Sequence, residues 1–348
     1  MRIYFAGTCG IEKRERMVID KAGSRLISYY YMDKGLAVAY GFEYLKTKKN
    51  KHLFIDSGAF SAWTKGEEVD IYQYIDFIKK NRQFIDIYAN LDVIGLNGAQ
   101  PNEETAELTL KNQRIMEKAG LDPIPVFHIG EPYNYLEYYV KKYKYISLGI
   151  AGNLPVNLVE WMDECFERYI CDKDGYPKIK VHGFAVTSLD LMLRYPWYSV
   201  DSTTWVTFGR NGIIVVPRRR SGQWVYDIAA DKIPVSYKSP DIHKKGRHIF
   251  NMVGSKKDRV LEYIEQKGYK LGKSKFEKIP ANSKLLPNQR WAEKKSENPM
   301  RLVETVITPG LSNYYLLRDE LNIEYFKDLE KNMPKWPWAF KRQNKVLF

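Results

Sequence analysis

Short apolar runs recur along the first two thirds of the chain, and most of them are separated by segments with helical periodicity. The apolar runs lie at residues 2–6, 53–56, 85–91, 124–128, 145–149, 179–185, 197–200 and 213–216. The helical patterns lie at residues 68–81, 102–119, 132–142, 155–170 and 188–194. Because strands that alternate with helices are joined by crossovers, this pattern predicts a parallel sheet flanked by helices.

The number of strands favours one α/β architecture over another. Eight strands within roughly 250 residues fit a TIM-like (β/α)8 barrel. An open doubly wound sheet more often carries a glycine-rich phosphate fingerprint after its first strand, and the segment AGTCGIEKRER at that place has none. We therefore predict a TIM-like barrel in which the carboxyl ends of the strands share one active site.

The sequence from residue 212 onward indicates two additions to the barrel. Residues 212–230 read as a β-hairpin insertion that turns at Ser221-Gly222. The barrel with this hairpin is predicted to span residues 1–255. Residues 256–348 are predicted to form a basic, mainly helical C-terminal extension, with a loose Lys/Pro/Asn-rich stretch at 272–300 between two helical patterns.

The composition is that of a folded protein with a strong positive charge. Of 348 residues, 44% are hydrophobic and 14% aromatic, and 55 Lys and Arg exceed 42 Asp and Glu to give a formal charge of +13. This surplus fits a polyanionic partner, with nucleic acid first, as well as it fits solubilising surface lysines, and the distribution of the charges favours the polyanion. Four arginines that follow the segment around Asp201 are the candidates for phosphate contacts: Arg210, Arg218, Arg219 and Arg220.

The few cysteines and the lack of long apolar segments exclude several other classes. Cys9, Cys165 and Cys171 are too few for a disulfide framework and form no CxxC pair, so no structural zinc site is indicated. No apolar run approaches the ~20 residues of a membrane span, and the amino terminus lacks the apolar core of a signal peptide. The sequence therefore predicts a cytoplasmic protein without a membrane partner.

Three aspartates follow apolar runs and are the candidates for the chemistry. Asp56, Asp92 and Asp201 are each flanked by small or polar residues. Carboxylates around one cleft suit the cleavage of glycosidic bonds, because one can attack the sugar carbon while another handles the proton of the leaving group. An aspartate after a strand also often caps a helix or holds a turn, and a glycoside hydrolase acting on free sugars would use the same pair of groups.

Six segments in order give the chain a resemblance to a known family. They are FIDSGAFS (54–61), YANLD (88–92), VFHIG (126–130), SLGIAG (147–152), HGFAVTS (182–188) and VDSTTWVTFGRNG (200–212). In this order they resemble the strand-end motifs of the tRNA-guanine transglycosylases and of their phage-type relatives that insert 7-deazaguanine bases into DNA. The resemblance covers roughly residues 50–230.

The resemblance implies a base exchange that needs no cofactor. It makes Asp201 the nucleophile that attacks C1′ of the target nucleoside, and Asp56 the general acid and base. The free 7-deazaguanine, of the preQ0 type, is the second substrate. It further implies that the following residues contact the base: Ser57, Phe60, Asp92, His128 in place of a glutamine, the backbone of Gly149 and Ile150, and His182.

The chain also departs from this family in ways that bear on its substrate. The cysteines of the zinc site in the tRNA enzymes are missing after the hairpin, and His243 and His248 alone read as surface or packing residues. This loss favours DNA over tRNA as the nucleic acid. A target guanine in duplex DNA has to leave the stack, and Trp205 and Trp224 are candidates for holding the opened strand.

Three alternatives to the DNA enzyme stay open at this point. The nearest is a tRNA-directed enzyme that inserts queuine or preQ1. The others are a nucleic-acid-binding barrel without catalysis and the glycoside hydrolase. The resemblance also brings a homodimer into consideration.

Overall fold

The computed structural model describes residues 1–7, 12–33, 52–95, 100–150 and 157–341. Cys9 and the predicted loop residues Ala151 and Gly152 lie outside the described residues. The chain divides into two compact units, the first made of Met1–Thr203 with Leu329–Phe348 and the second of Thr204–Asp328. The domain boundary that the sequence predicts after residue 255 stays a prediction, and it falls within the second unit.

The first unit is built on a curled sheet of eight parallel strands. These are β1 (Arg2–Phe5), β2 (Ser24–Ser28), β3 (His52–Asp56), β4 (Ile87–Tyr88), β5 (Val126–His128), β6 (Tyr145–Gly149), β7 (Lys180–Gly183) and β8 (Ser199–Ser202). Their order is β4-β3-β2-β1-β8-β7-β6-β5. A parallel bridge between Ala89 and Ile124 joins the chain after β4 to the chain before β5. This α/β arrangement is consistent with the predicted TIM-like barrel.

Helices connect and flank these strands. They are α1 (Glu12–Lys21), α2 (Tyr29–Asp33), α3 (Ala59–Trp63), α4 (Ile71–Asn81), α5 (Glu103–Lys118), α6 (Tyr133–Lys142), α7 (Leu158–Glu164) and α8 (Leu189–Arg194), and α7 continues as a π-helix over Cys165–Ile170. Asp70 caps α4 by accepting hydrogen bonds from the N–H groups of Tyr72 and Gln73. The helical pattern predicted from residue 102 begins with a similar cap, since the Asn102 side chain accepts from the N–H of Thr105.

The prediction that all eight apolar runs belong to one parallel sheet is wrong for one of them. The run at 213–216 forms a strand, but it pairs antiparallel with residues 231–234 in the second unit. Its place in the parallel sheet is taken by β2, which the sequence did not predict. Ser24 and Arg25 are buried polar residues in this short strand, so its apolar pattern is too brief to recognise.

The alternation of side chains along the strands separates two apolar layers. Tyr4, Leu26 and Phe54 pack together on one face of the curled sheet. Their sequence neighbours Ile27, Leu53 and Ile55 belong to a different cluster, which includes residues of α4 and α5. Because side chains alternate with a period of two, Asp56 points to the same face as Phe54. This face carries the candidate site at the carboxyl ends of its strands.

The second unit combines helices with small antiparallel sheets. It contains α9 (Thr204–Arg210), β9 (Ile213–Val216), β10 (Arg218–Arg220), β11 (Gln223–Val225), β12 (Asp231–Pro234), α10 (Ser255–Gln266), β13 (Lys273–Pro280), β14 (Gln289–Trp291), β15 (Met300–Thr308) and most of α11 (Tyr315–Asn332). Strands β10 and β11 pair antiparallel around Ser221 and Gly222, where the sequence indicates a hairpin turn. In a separate two-stranded sheet, β9 pairs antiparallel with β12.

The stretch at 272–300 differs from its predicted loose conformation. It contains β13 and β14, which both pair with β15 in a three-stranded antiparallel sheet. Every residue of β13 is at least partly exposed, so lysines and other polar residues interrupt the apolar pattern that would identify a strand. The strand is instead held by β15, whose buried Glu304 accepts a hydrogen bond from the Ser274 hydroxyl of β13.

The described helices give no sign of a membrane span. None of them combines sufficient length with sufficient apolar character to cross a bilayer.

Asp163 and Arg194 join α7 to α8 through a buried ion pair, which generates a prediction about stability. Two guanidinium nitrogens of Arg194 donate to the two carboxylate oxygens of Asp163 over 2.9 and 2.6 Å, and Tyr195 donates to the same carboxylate over 2.8 Å. Asp163→Ala leaves the cation buried without its partner, so we expect the free energy of unfolding to fall by about 3–5 kcal/mol. Urea denaturation measures the change.

The matched control is Glu137→Ala in α6. Glu137 and Lys141 form an ion pair whose side chains are 53% and 72% exposed. Exposed pairs contribute about 0–1 kcal/mol, so the control is expected to stay close to the wild type. An equal loss of stability in both variants would contradict a special role for the buried pair.

Candidate active site

The three predicted aspartates lie at the carboxyl ends of strands in the first unit. Asp56 is the last residue of β3 and Asp201 lies in β8, while Asp92 follows β4 by four residues. The charges of Asp92 and Asp201 both raise the pKa of Asp56, so the three carboxylates are close enough to interact electrostatically. The strand ends therefore bring together groups that are up to 145 residues apart in sequence.

Asp56 has the environment of a carboxylic acid that gives up its proton near neutrality. Part of the side chain is accessible, but dense surrounding protein makes burial the largest influence on its charge. Burial, together with the negative charges of Asp92 and Asp201, raises the pKa of Asp56 to about 7. The Gly58 N–H and the Ser28 hydroxyl oppose this shift by stabilising the ionised form. An acid with such a pKa can both donate and accept a proton at physiological pH.

Gly58 makes the turn that follows Asp56 possible. Its φ angle is +83°, and a Cβ atom there would lie 2.3 Å from the Cβ of Tyr30. Only glycine fits both the left-handed backbone and this close approach. The turn starts α3, whose second residue, Phe60, is 53% exposed. An exposed ring two residues after this turn is available to stack on a flat ligand.

Asp92 belongs to a chain of buried polar groups. Its Oδ1 accepts a hydrogen bond of 2.8 Å from the Ser57 hydroxyl, and its Oδ2 lies 3.0 Å from Nε2 of His128. On the far side of the imidazole, Nδ1 lies 3.3 Å from Oε1 of Glu131. The other carboxylate oxygen of Glu131, Oε2, accepts a hydrogen bond of 2.9 Å from the backbone N–H of His128. The imidazole is thus held between two carboxylates.

The two carboxylates decide the charge of His128. Burial disfavours its charged form, but the hydrogen bonds to Asp92 and Glu131 outweigh burial and raise the pKa of His128 to about 10. The imidazole is therefore a cation at neutral pH, and both of its N–H groups face carboxylate oxygens. Both ring nitrogens thereby face carboxylate oxygens of Asp92 and Glu131.

Gly149 at the end of β6 provides the space for this imidazole. A Cβ atom at Gly149 would lie 2.5 Å from Cδ2 of His128. Gly149 pairs with His128 in the register of β5 and β6, so the ring lies over the glycine backbone. The half-buried Ile150 follows directly. The backbone that the sequence predicts to contact a ligand therefore lies next to the His128 ring.

Asp201 is held from two sides. Its Oδ1 accepts a hydrogen bond of 2.8 Å from the Ala185 N–H and lies 3.5 Å from Nε2 of His182. Ala185 adopts a φ of 55°, which few non-glycine residues do, and this turn directs its N–H to the carboxylate. The carboxylate is therefore fixed by a backbone hydrogen bond and lies beside a buried imidazole.

A second buried chain of polar groups continues from His182. Its Nδ1 lies 2.6 Å from the Ser199 hydroxyl, which in turn lies 2.6 Å from the Tyr145 hydroxyl. Burial lowers the pKa of His182, although the Asp201 charge opposes this effect. His182 is thus neutral at pH 7, in contrast to His128, and its ring packs edge-on against Phe54 with centroids 4.6 Å apart.

The predicted phosphate-binding arginines belong to the second unit. Arg218 lies 3.8 Å from Asp231, Arg219 binds Glu262, and Arg220 binds Asp227. Arg210 is exposed at the end of α9. Each of the three hairpin arginines therefore has an acidic partner within its own unit.

The prediction that Trp205 holds an opened strand is wrong. Its side chain has no exposed surface, so it is a core residue of α9. Trp224 is partly exposed, but its ring lies 4.8 Å beneath the Arg219 guanidinium and its indole N–H donates to Gln266. The sequence could not distinguish a buried indole from an exposed one in this short helix.

Several residues of the site were not predicted. Glu131, Ser199, Tyr145 and Ala185 orient the groups that the sequence did identify. Glu131 follows His128 by three residues in the segment HIGEP, which resembles the start of a helix and hides its role as an acceptor. The period of two in β8 relates Ser199 to Asp201 and is the one signal that was available.

Histidines and cysteines of the described residues form no recognisable metal site. No group of His, Cys, Asp and Glu side chains within those residues has the arrangement of a metal site. His248 is buried and its Nε2 lies 3.0 Å from the Ser236 carbonyl oxygen, while His243 is exposed. His248 is thus a packing residue and His243 a surface residue, as the sequence indicates.

Comparisons of the chain with protein-family models, with curated proteins and with solved structures found no match.

The raised pKa of Asp56 generates a prediction about stability and pH. The folded-state pKa is about 7 against an ordinary value of 3.8, so the folded protein holds the proton more strongly than the unfolded chain. The stability that this group contributes is present at low pH and is lost as the pH rises through about 7. Asp56→Asn cannot ionise, so we expect its stability relative to the wild type to increase as the pH rises from 3.8 to about 7.

Urea denaturation between pH 4 and pH 8 measures the difference, with roughly half-unit steps to define the slope. The control is Asp190→Asn, which alters an exposed aspartate in the first turn of α8. Its stability is expected to follow that of the wild type at each pH. If the Asp56→Asn curve also runs parallel to the wild type, the pKa of Asp56 is not raised.

Proposed function

We propose that the protein is a base-exchange transglycosylase that replaces guanine in DNA with a 7-deazaguanine base through a covalent link to Asp201. The observation that carries the proposal is the convergence of Asp56, Asp92 and Asp201, with a pKa of about 7 at Asp56. A nucleophile beside an acid that titrates near neutrality matches the needs of glycosidic exchange. The six segments that resemble the guanine transglycosylases supply the substrate class.

The proposed first step forms the covalent intermediate. A carboxylate oxygen of Asp201 attacks C1′ of the target nucleotide, and the bond between C1′ and N9 of guanine breaks. Oδ1 of Asp201 is engaged by Ala185 and faces His182, so we assign the attack to Oδ2. The electron pair of the broken bond goes to guanine, and neutral Asp56 provides the proton that the leaving base takes up.

The second step reverses these roles with a different base. The Asp56 carboxylate accepts the N9 proton of the incoming 7-deazaguanine, and N9 attacks C1′ to release the Asp201 carboxylate. Both partners return to their starting protonation states, so the cycle consumes no cofactor. The pKa of about 7 suits Asp56 to both transfers.

Base recognition is assigned to the polar chain around Asp92. Ser57 and His128 fix one lone pair on each carboxylate oxygen. The remaining lone pairs can accept hydrogen bonds from the N1–H and the amino group of a guanine-like base. Phe60 is available for stacking, while Gly149 and Ile150 provide backbone at the place where the resemblance positions the base substituent. In this proposal the described sheet is a complete TIM-like barrel with its site at the carboxyl ends.

DNA is preferred to tRNA because the described residues contain no counterpart of the zinc site of the tRNA enzymes. A tRNA-directed exchange would use the same three aspartates and is the second candidate. A glycoside hydrolase would use two of the three carboxylates, but it gives no role to the excess positive charge. A binding protein without catalysis would not require the unusual pKa of Asp56.

Asp201→Asn tests the nucleophile. An amide is a much weaker nucleophile than a carboxylate, so we expect loss of the denaturation-resistant adduct between protein and nucleic acid, with exchange reduced by at least about 10³-fold. Duplex DNA, single-stranded DNA and tRNA, each carrying labelled guanine, are incubated with a 7-deazaguanine, and the release of label is followed.

Asp190→Asn is the matched control, because it replaces an exposed aspartate and is expected to retain full exchange. An adduct that persists in Asp201→Asn excludes Asp201 as the nucleophile. Label released only from tRNA replaces the DNA assignment by the tRNA alternative. Label released from none of the three polymers overturns the proposed activity.

The protonation of Asp56 generates a prediction about rate and pH. Departure of guanine requires the protonated acid, and the protonated fraction falls as the pH rises through about 7. In a single turnover without incoming base, the adduct is therefore expected to form about tenfold more slowly for each pH unit well above 7. Asp56→Asn is expected to be slow and to lose this dependence. A wild-type rate that rises over the same interval would contradict the assignment.

A further inference from the structure

The positive charge of the chain is concentrated in the second unit. Residues 204–328 contain 24 Lys and Arg and 14 Asp and Glu, a surplus of 10 out of the 13 for the whole chain. The remaining 223 residues of the first unit contribute the other three charges. A surplus confined to 125 residues is more than general solubility requires and indicates a polyanion-binding surface.

Three aromatic rings of this unit form a contiguous cluster, which we call the aromatic platform. The rings of Tyr237 and Phe250 stack with centroids 4.9 Å apart and an interplanar angle of 26°. Phe276 of β13 packs edge-on against Tyr237 with centroids 5.5 Å apart. Phe250 is 37% exposed and Phe276 is 39% exposed. The platform therefore keeps aromatic surface in contact with water.

The position of Phe276 makes its exposure unusual. It lies in the middle of β13, an outer strand of the three-stranded sheet whose residues are all at least partly exposed. The other members of the strand are mostly charged or polar, so solubility favours a polar residue at this place. Because Phe276 is contiguous with Tyr237 and Phe250, its exposed ring extends an aromatic patch of the kind that indicates a contact surface.

Cationic side chains accompany the platform. Lys238 is adjacent to Tyr237 and is exposed, and its ammonium group donates to the Trp291 carbonyl oxygen over 3.3 Å. Lys278 is exposed and follows Phe276 by two residues in β13, so it lies on the same face of the strand.

We propose that the aromatic platform, with Lys238 and Lys278, binds an unpaired stretch of a nucleic-acid strand. Exposed rings offer stacking surfaces to successive bases irrespective of sequence, and the lysines offer contacts to the intervening phosphates. Charge complementarity favours a polyanion, and the aromatic rings favour one with flat bases over an acidic protein. The choice of nucleic acid rests on the proposed function, but binding itself requires no catalysis.

The experiment measures the binding of a fluorescent oligothymidylate of about 12 nucleotides to the full chain by anisotropy. Removal of both exposed rings in Phe250→Ala/Phe276→Ala is expected to weaken binding by roughly 10-fold to 100-fold, since stacking contributes substantially for each base. Phe250→Tyr/Phe276→Tyr keeps the rings and is expected to bind as the wild type does. Thermal unfolding of each variant verifies that it is folded.

Tyr176→Ala is the matched control, because Tyr176 is 47% exposed and belongs to the first unit. It is expected to leave oligothymidylate binding unchanged. Lys238→Ala/Lys278→Ala is expected to reduce the slope of log K against log salt by about 1.4, whereas the aromatic variants keep the wild-type slope. These two effects separate stacking from phosphate contact.

Wild-type affinity in the folded Phe250→Ala/Phe276→Ala variant overturns the proposal. So does a self-association that this variant abolishes without any change in oligothymidylate binding, because the platform is then an interface between two copies. Asp201→Asn is tested in parallel and is expected to bind normally. If the wild type shows no base exchange but the platform variants bind oligothymidylate weakly, only the proposed function is refuted. If the wild type shows base exchange but the platform variants bind oligothymidylate normally, only the platform proposal is refuted.

Discussion

Repulsion between like charges at the strand ends is the constraint on which the site depends. Three carboxylates that meet in a partly buried space cannot all be ionised without compensation. Each one is compensated differently. Asp92 faces the His128 cation, Asp201 accepts a backbone N–H from Ala185, and Asp56 retains its proton up to a pH of about 7. Because the negative charge of each carboxylate is balanced or avoided in a different way, chemically identical side chains acquire different protonation properties.

The supporting residues follow from this constraint. A cation at His128 is possible in a buried position because Glu131 supplies a second carboxylate, and the imidazole fits because Gly149 has no side chain. Below Asp201, Phe54 and the neutral His182 form an aromatic layer across the strands. The residues around the three carboxylates thus determine where charge and protons are placed, and their burial makes each of these contacts stronger than it would be in water.

The sequence identifies the site more readily than its supports, and there are physical reasons for the difference. Asp56, Asp92 and Asp201 are recognisable because each interrupts or ends an apolar run, and parallel strands of a curled sheet bring such ends together. Glu131 is hidden because its partner is a backbone N–H and a ring, which leave no spacing pattern. Arg25 obscures β2 in the same way, since a buried cation in a short strand resembles a surface position.

The exposed parts of the fold were harder to predict. Strand β13 has no apolar face of its own, so its pairing with β15 is determined by residues distant in sequence. The run at 213–216 is unmistakably a strand, yet its composition does not specify which sheet it joins. Trp205 shows the same difficulty for a single side chain, because an indole serves equally in a core and at a surface.

The buried sequence of contacts from Tyr145 through Ser199 and His182 to Asp201 has a direction. If Tyr145 donates to Ser199 and Ser199 donates to His182, the imidazole carries its proton on Nε2 and presents it to Asp201. If all the donors reverse, Nε2 presents a lone pair instead. A negative Asp201 favours the first arrangement, and an Asp201 that has lost its charge removes that preference. The proton positions along Tyr145, Ser199 and His182 are therefore linked to one another, and their arrangement depends on the charge of a carboxylate at the other end of the sheet.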